Sequence, residues 1–274
     1  MMETDIIVQG DALQELNKVP TGCVDLVLTS PPYNAGKIYE QKLTEQEYFD
    51  FINPIAKEFK RILKPDGRFA INVCFNINRI NVVGDRTKNS VLYPFLSWID
   101  SLRANGLTIK ENIIWDQLNS ECDTAWGSWK SASAPHIRHQ TENILVGYNQ
   151  QWKKLNKGIS DITPTEFTRW TLDKWRFGCE RNRQHPAPYP EELAKRCIKL
   201  FSYVDDLVLD PFNGSGTTCA VAKMFNRKYI GIDQSAEYCQ YANKRIDNIP
   251  FKLENYSTQT QFENNGKQCA VNRH

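Results

Sequence analysis

Short apolar runs recur along the chain and alternate with segments whose apolar residues fall at three- and four-residue spacing. The runs are "DIIVQG" (5–10), "CVDLVLTS" (23–30), "GRFAINVCF" (67–75), "ENIIWDQ" (111–117), "ENILVGYN" (142–149), "DLVLDPF" (206–212) and "KYIGID" (228–233). Between them lie helical patterns at 44–64, 90–106, 190–203 and 217–226. Strand and helix periods in alternation predict an α/β domain built on a doubly wound, mostly parallel sheet. Residues 150–184 break the alternation with Trp152, Trp170, Trp175 and many basic side chains, and show no clear sheet strand. They read as a segment inserted on the surface of a domain that spans 1–252. The remainder, 253–274, is polar and aperiodic, the pattern of a peripheral tail.

Composition changes this picture little. With 274 residues, 41% hydrophobic and 24% charged, the chain has the make-up of an ordinary globular protein. No run approaches the roughly 18 apolar residues of a membrane span. The start "MMETDIIVQGDAL" also lacks the layout of a secretory leader, so a cytoplasmic protein with no membrane partner is expected. Eight cysteines stand singly, without C-x-x-C pairs or histidines at zinc-ligand spacing, so no metal is expected. A net charge of +2 does not by itself demand a polyanionic partner, but basic residues bunch in "KWRFGCERNRQH" (174–185).

Two stretches carry candidate chemistry. In "LTSPPYN", Pro31 and Pro32 end an apolar strand abruptly, because neither can donate to a sheet ladder, and so a rigid corner is presented at the strand's carboxyl end. In "DLVLDPFNGSGTTCAVAKMFNRKYIGID" (206–233), a strand ending at Asp210 is followed by a glycine turn, a helix capped by threonines and a second strand ending in Asp233. That is the βαβ arrangement for a nucleoside-bearing ligand, with a carboxylate placed to accept from ribose hydroxyls. A phosphate-cradling P-loop would need a lysine that "NGSGTT" lacks. The dinucleotide G-x-G-x-x-G would need a third glycine where Cys219 stands, and a purely structural tight turn stays open.

Taken together, "TSPPYN" and "DPFNGSGTT" resemble the paired motifs of the amino-directed DNA methyltransferases, which use S-adenosylmethionine. The proline turn comes first and the glycine turn follows some 180 residues later, similar to the permuted β group of that family, and the likeness runs from about Gly10 to Arg245. The resemblance implies a Rossmann-like methyltransferase fold with 150–184 as target-recognition region, and double-stranded DNA as partner. It assigns catalysis to Ser30, Pro31, Pro32 and Tyr33, and cofactor binding to Asp210, Pro211, Phe212, Gly214, Gly216, Thr217 and Asp233. "GDAL" (10–13) is similar to the turn whose acid, here Asp11, faces the cofactor's adenine. "HPAPYPEELAKRCIKLFS" (185–202) is similar to the segment that encloses the methionine end, where His185 either lines the pocket or is structural.

An exocyclic amine is a poor nucleophile because its lone pair is delocalised into the ring. In the family's terms the Ser30 hydroxyl and the Pro31 carbonyl accept its two hydrogens, while Tyr33 stacks on a base flipped out of the duplex. T-S-P-P-Y is more usual in cytosine-N4 enzymes, so the target leans to cytosine with N6 of adenine as the alternative. A C5-cytosine enzyme needs a Pro-Cys thiolate, and no Pro-Cys dipeptide occurs. Lys174, Arg176, Arg181 and Arg183 are the candidates for phosphate contacts. A restriction-modification role is expected, with a cognate endonuclease as functional partner and a homodimer left open. Methylation of RNA or protein amides, and a catalytically silent nucleic-acid-binding subunit, are the competing readings.

Overall fold

A computed structural model describes residues 2–33, 43–79, 90–118, 128, 130–133, 135, 137, 139–178 and 190–249. In chain order the elements are β1 (Ile6–Gln9), α1 (Ala12–Leu16), β2 (Val24–Thr29), α2 (Glu45–Ile62), β3 (Leu63–Val73), β4 (Ile77–Arg79), β5 (Ser90–Leu92), α3 (Pro94–Ala104) and β6 (Thr108–Asp116). They continue as β7 (Thr141–Tyr148), α4 (Pro164–Trp170), β8 (Lys174–Arg176), α5 (Glu191–Phe201), β9 (Leu207–Asp210), α6 (Thr217–Met224), β10 (Lys228–Asp233) and α7 (Ala236–Asp247).

Eight of the strands form one sheet in the order β1-β10-β9-β2-β3-β7-β6-β8, while β4 and β5 pair separately. Only β7 runs against its neighbours, antiparallel to both β3 and β6; the other pairings in the large sheet are parallel. This is the mostly parallel, doubly wound architecture that the alternation predicts. Its two faces are covered for the reason parallel sheets require: every residue of β2 is buried, and alternate side chains leave on opposite sides. Val27 joins Tyr48, Ile52, Phe59, Trp98 and Leu102 under α2 and α3, whereas Leu26 and Leu28 join Leu193, Cys197, Cys219 and Val221 under α5 and α6. A capping box, Thr44 with Glu47, starts the long helix α2.

The 150–184 segment differs from its expectation. It does contain a sheet strand: β8 adds to the edge of β6, pairing Trp175 with Trp115. Three residues are too few to show a strand period, which is why the pattern missed it. Trp175 is only 1% exposed and belongs to the second core cluster. Ion pairs fasten the rest. Arg227, buried at the amino end of β10, holds Asp161 through both guanidinium nitrogens at 2.8 and 2.9 Å, and Lys199 of α5 holds Glu166 at 2.6 Å. The described part of the segment is therefore integral to the domain. No helix among the described residues is long and apolar enough to cross a membrane, and the tail 253–274 lies outside the described residues.

Candidate active site

β2 and β9 are direct neighbours, with Leu26 opposite Val208 and Val27 opposite Leu209. Because they run parallel, the proline turn after β2 and the glycine turn after β9 leave the same edge of the sheet side by side, at its carboxyl end, where open α/β sheets bind ligands. A buried contact joins them. Thr29 Oγ1 donates to Asp210 Oδ1 at 2.6 Å, and Asp210 also accepts from Phe212 N at 3.0 Å and from Thr218 Oγ1 at 2.5 Å. Burial pushes the Asp210 carboxyl up to about 6, against the pull of these donors.

That geometry gives three residues of the glycine turn structural partners. Asp210 is 0% exposed with donors on both oxygens, so it ties the turn to β2 and α6. Thr217, 3% exposed, accepts from Arg245 Nη1 at 3.1 Å and braces α6 against α7. Gly216 has a left-handed φ of +79°, and a Cβ there would lie 2.7 Å from Ala242 Cβ, so it serves the close approach of α7. The glycine-turn residues nearer the surface are Phe212 and Gly214, and Pro211 is buried. Phe212 packs 6.1 Å from the Phe51 ring.

Gly214 N donates to Asp233 Oδ2 and Ser235 N to Oδ1, each at 2.8 Å, which fixes the acid that ends β10. Asp11, just past β1, caps α1 by accepting from Gln14 N at 3.1 Å and accepts from Gln234 Nε2 at 3.0 Å. Asp11 and Asp233 are thus brought to one corner, half-buried. Asn213 was not singled out by the sequence: it is 4% exposed and its amide oxygen and nitrogen have no partner among the described residues.

The proline turn opens onto a polar cluster assembled from four strands. The Tyr33 hydroxyl lies 2.9 Å from Ser30 Oγ and donates to Glu142 Oε2 at 2.9 Å. Asn72 Nδ2, from β3, donates to Tyr33 Oη at 2.8 Å and to Glu142 Oε2 at 2.6 Å, and Gln117 Nε2, just past β6, donates to Glu142 Oε1 at 2.8 Å. Burial, and then the charge of Glu142, hold the Tyr33 phenol well above its usual range. Asn72 Oδ1 is buried without a partner among the described residues. Tyr48 Oη donates to the Pro32 carbonyl at 3.0 Å, pinning the second proline. Asn72, Gln117 and Glu142 were missed because they are far from Ser30 in the chain; their one signal is that each lies at a strand end on the carboxyl edge.

Lys174 and Arg176 are exposed at that same edge, and both pair with Asp116, at 3.0 and 3.2 Å. These cations lower the Asp116 carboxyl. His185, Arg181 and Arg183 lie outside the described residues.

The sequence profile of a family described as DNA methylase matches residues 24–244 of this chain. The chain belongs to that family. The methylase is 30% identical over 263 residues to DNA adenine methyltransferase YhdJ of Escherichia coli, covering 89% of this chain and 83% of that protein. Among solved structures it is similar to TTHA0409 of Thermus thermophilus in complex with S-adenosyl-L-methionine, with a TM-score of 0.70, 27% identity and coverage of 88% and 93% of the two chains. It is also similar to PvuII DNA methyltransferase, described as cytosine-N4-specific, with a TM-score of 0.67, 26% identity and coverage of 89% and 87%.

The methylase is an S-adenosylmethionine-dependent DNA amino-methyltransferase with the Rossmann-like fold of those relatives. The corner between β1 and β10 fits such a cofactor chemically. Its half-buried carboxylates, Asp11 and Asp233, are acceptors suited to ribose hydroxyls and to an amine, and no phosphate-binding lysine intrudes on the turn.

Proposed function

We propose that the methylase transfers a methyl group to N4 of a cytosine flipped out of double-stranded DNA, as the modification activity of a restriction-modification system in a prokaryotic cytoplasm. The observation that carries this reading is the placement of Ser30, in its T-S-P-P-Y context, on the strand adjacent to the glycine turn. The similarity to a cytosine-N4-specific enzyme supports the choice of base.

In this reading S-adenosylmethionine supplies an already activated methyl group. The chain's own residues bind and orient: Asp233 and Asp11 hold the nucleoside end, Phe212 lines it, and Gly214 keeps Asp233 in place. Ser30 Oγ and the Pro31 carbonyl accept from the target amine, which favours a pyramidal nitrogen with an exposed lone pair. Pro32 rigidifies that carbonyl, and the Tyr33 ring stacks on the base. The orphaned Asn72 oxygen supports an entering donor, since an unmet buried acceptor costs about 1–3 kcal/mol. Lys174 and Arg176, with Arg181 and Arg183, contact phosphates, and His185 closes the methionine end.

A second reading, N6 of adenine, is favoured by the identity to YhdJ. Incubation of mixed-sequence DNA with tritiated cofactor, followed by digestion and nucleoside chromatography, decides between them. N4-methylcytosine supports the proposal, N6-methyladenine selects the second reading, and the absence of any labelled nucleoside overturns both.

A further inference from the structure

The polar cluster has a direction. The Tyr33 hydroxyl carries one proton, and its acceptors are the Glu142 carboxylate at 2.9 Å and the Asn72 carbonyl at 3.2 Å; the nearer and charged one takes it. Asn72 Nδ2 donates into one lone pair of the phenol oxygen, which leaves the other for Ser30, 2.9 Å away. With the Tyr33 proton given to Glu142, the Ser30 proton points inward to Tyr33, and among the described residues Ser30 Oγ accepts only from Asn72 Nδ2 at 3.5 Å, which leaves it an acceptor. The chain Ser30 → Tyr33 → Glu142 is continuous, and Gln117 and Asn72 hold its terminal carboxylate from both sides.

Resting on the amino-methylation reading above, we propose that Glu142 is the terminal proton acceptor of the reaction, reached from the target nitrogen through Ser30 and Tyr33. When the amine lone pair forms its new bond to the methyl carbon, the donor's carbon–sulfur bond breaks to leave a neutral thioether, and the nitrogen, now cationic, must lose one proton. That proton passes to Ser30 Oγ as the Ser30 proton passes to Tyr33 Oη and the Tyr33 proton to Glu142 Oε2. Ser30 and Tyr33 end as they began, the nitrogen ends neutral, and Glu142 ends as a neutral acid that later releases its proton to water. The role depends on a hydroxyl that a phenylalanine at the same position would lack.

Among the described residues, the following groups face Glu142. Tyr33 comes from the proline turn, with the Cys74 thiol bordering it; β3 contributes the neutral Asn72; β6 contributes Trp115 directly opposite and the neutral Gln117 beyond it. Asp116, with its partners Lys174 and Arg176, is adjacent in β6 and by strand alternation leaves on the other face.

The test compares wild type with Glu142→Gln, folding checked by thermal melting and flipping by 2-aminopurine fluorescence. The expected result is kcat reduced about 100-fold, in the range for loss of a general base, with KM for DNA within about threefold. In ligand-free protein, ¹³C-labelled tyrosine spectra should show the Tyr33 phenol titrating at lower pH in the variant, because the Glu142 charge that raises it is gone. A variant with wild-type kcat, or an unmoved phenol, overturns the relay. If Glu142→Gln does not fold, Tyr33→Phe keeps the stacking ring and must lower kcat by a similar factor with KM for DNA unchanged; a wild-type kcat overturns the relay. A wild-type protein that labels no nucleoside would refute the function itself, which is a separate outcome.

Discussion

The two turns that meet at the carboxyl edge use their polar atoms in opposite ways. The glycine turn spends its most deeply buried carboxylate on its own scaffold: Asp210 serves two hydroxyls and an amide of the chain, and Gly216 serves the approach of α7. The proline turn gathers partners from β3, β6 and β7 around Ser30 and Tyr33. One turn is thus braced internally and the other gathers a polar cluster from several strands, although both looked equally chemical as sequence motifs. Substitutions should separate the two, in stability for the first and in turnover for the second.

The largest effect is expected from Ser30→Ala, which removes an acceptor aimed at the reacting amine and should lower kcat by about 10²–10³-fold. Tritium transfer measures it, and an unchanged melting temperature would mark the loss as chemical. Asp210→Asn should act on stability with a defined pH dependence. The folded value of about 6 for Asp210 lies above the ordinary unfolded value, so the folded protein holds the extra proton between them. That contribution is complete below about pH 4 and is lost as pH rises through about 6. Urea titrations should show the stability of wild type relative to Asp210→Asn falling by about 2 kcal/mol from about pH 4 to about pH 7.

Gly216→Ala should destabilise by about 1–3 kcal/mol, because it places a side chain in the left-handed region and against Ala242. Calorimetry reads this, and a loss of turnover without a loss of stability would break the contrast between the turns. Arg176→Ala should have the smallest effect: the salt slope of DNA binding should fall by about one unit in a titration followed by anisotropy. Its pairing with Asp116 reduces the free charge it can offer.

What was legible in the chain follows from the range of the interactions. The alternating periods announced the sheet, because each strand and helix writes its own period locally, and the motifs "TSPPYN" and "DPFNGSGTT" announced the edge at which chemistry occurs. β8 was not legible, since "KWR" becomes a strand only by pairing with Ile114, Trp115 and Asp116. Glu142 was hidden for a related reason. It stands 109 residues from Tyr33, and only the reversed direction of β7 brings the beginning of that strand to the edge where the others end. The full burial of the Asp210 carboxylate was not legible, because burial is a property of the packed chain.

The hydrogen bond between Thr29 and Asp210 has a mechanical consequence. It ties the proline turn to the glycine turn, so that on the proposed function the gap between methyl donor and acceptor is set by the protein before either guest arrives. Reach and alignment are then properties of the vise itself, and on that proposal the mobile partner in the encounter is the nucleotide that swings into it.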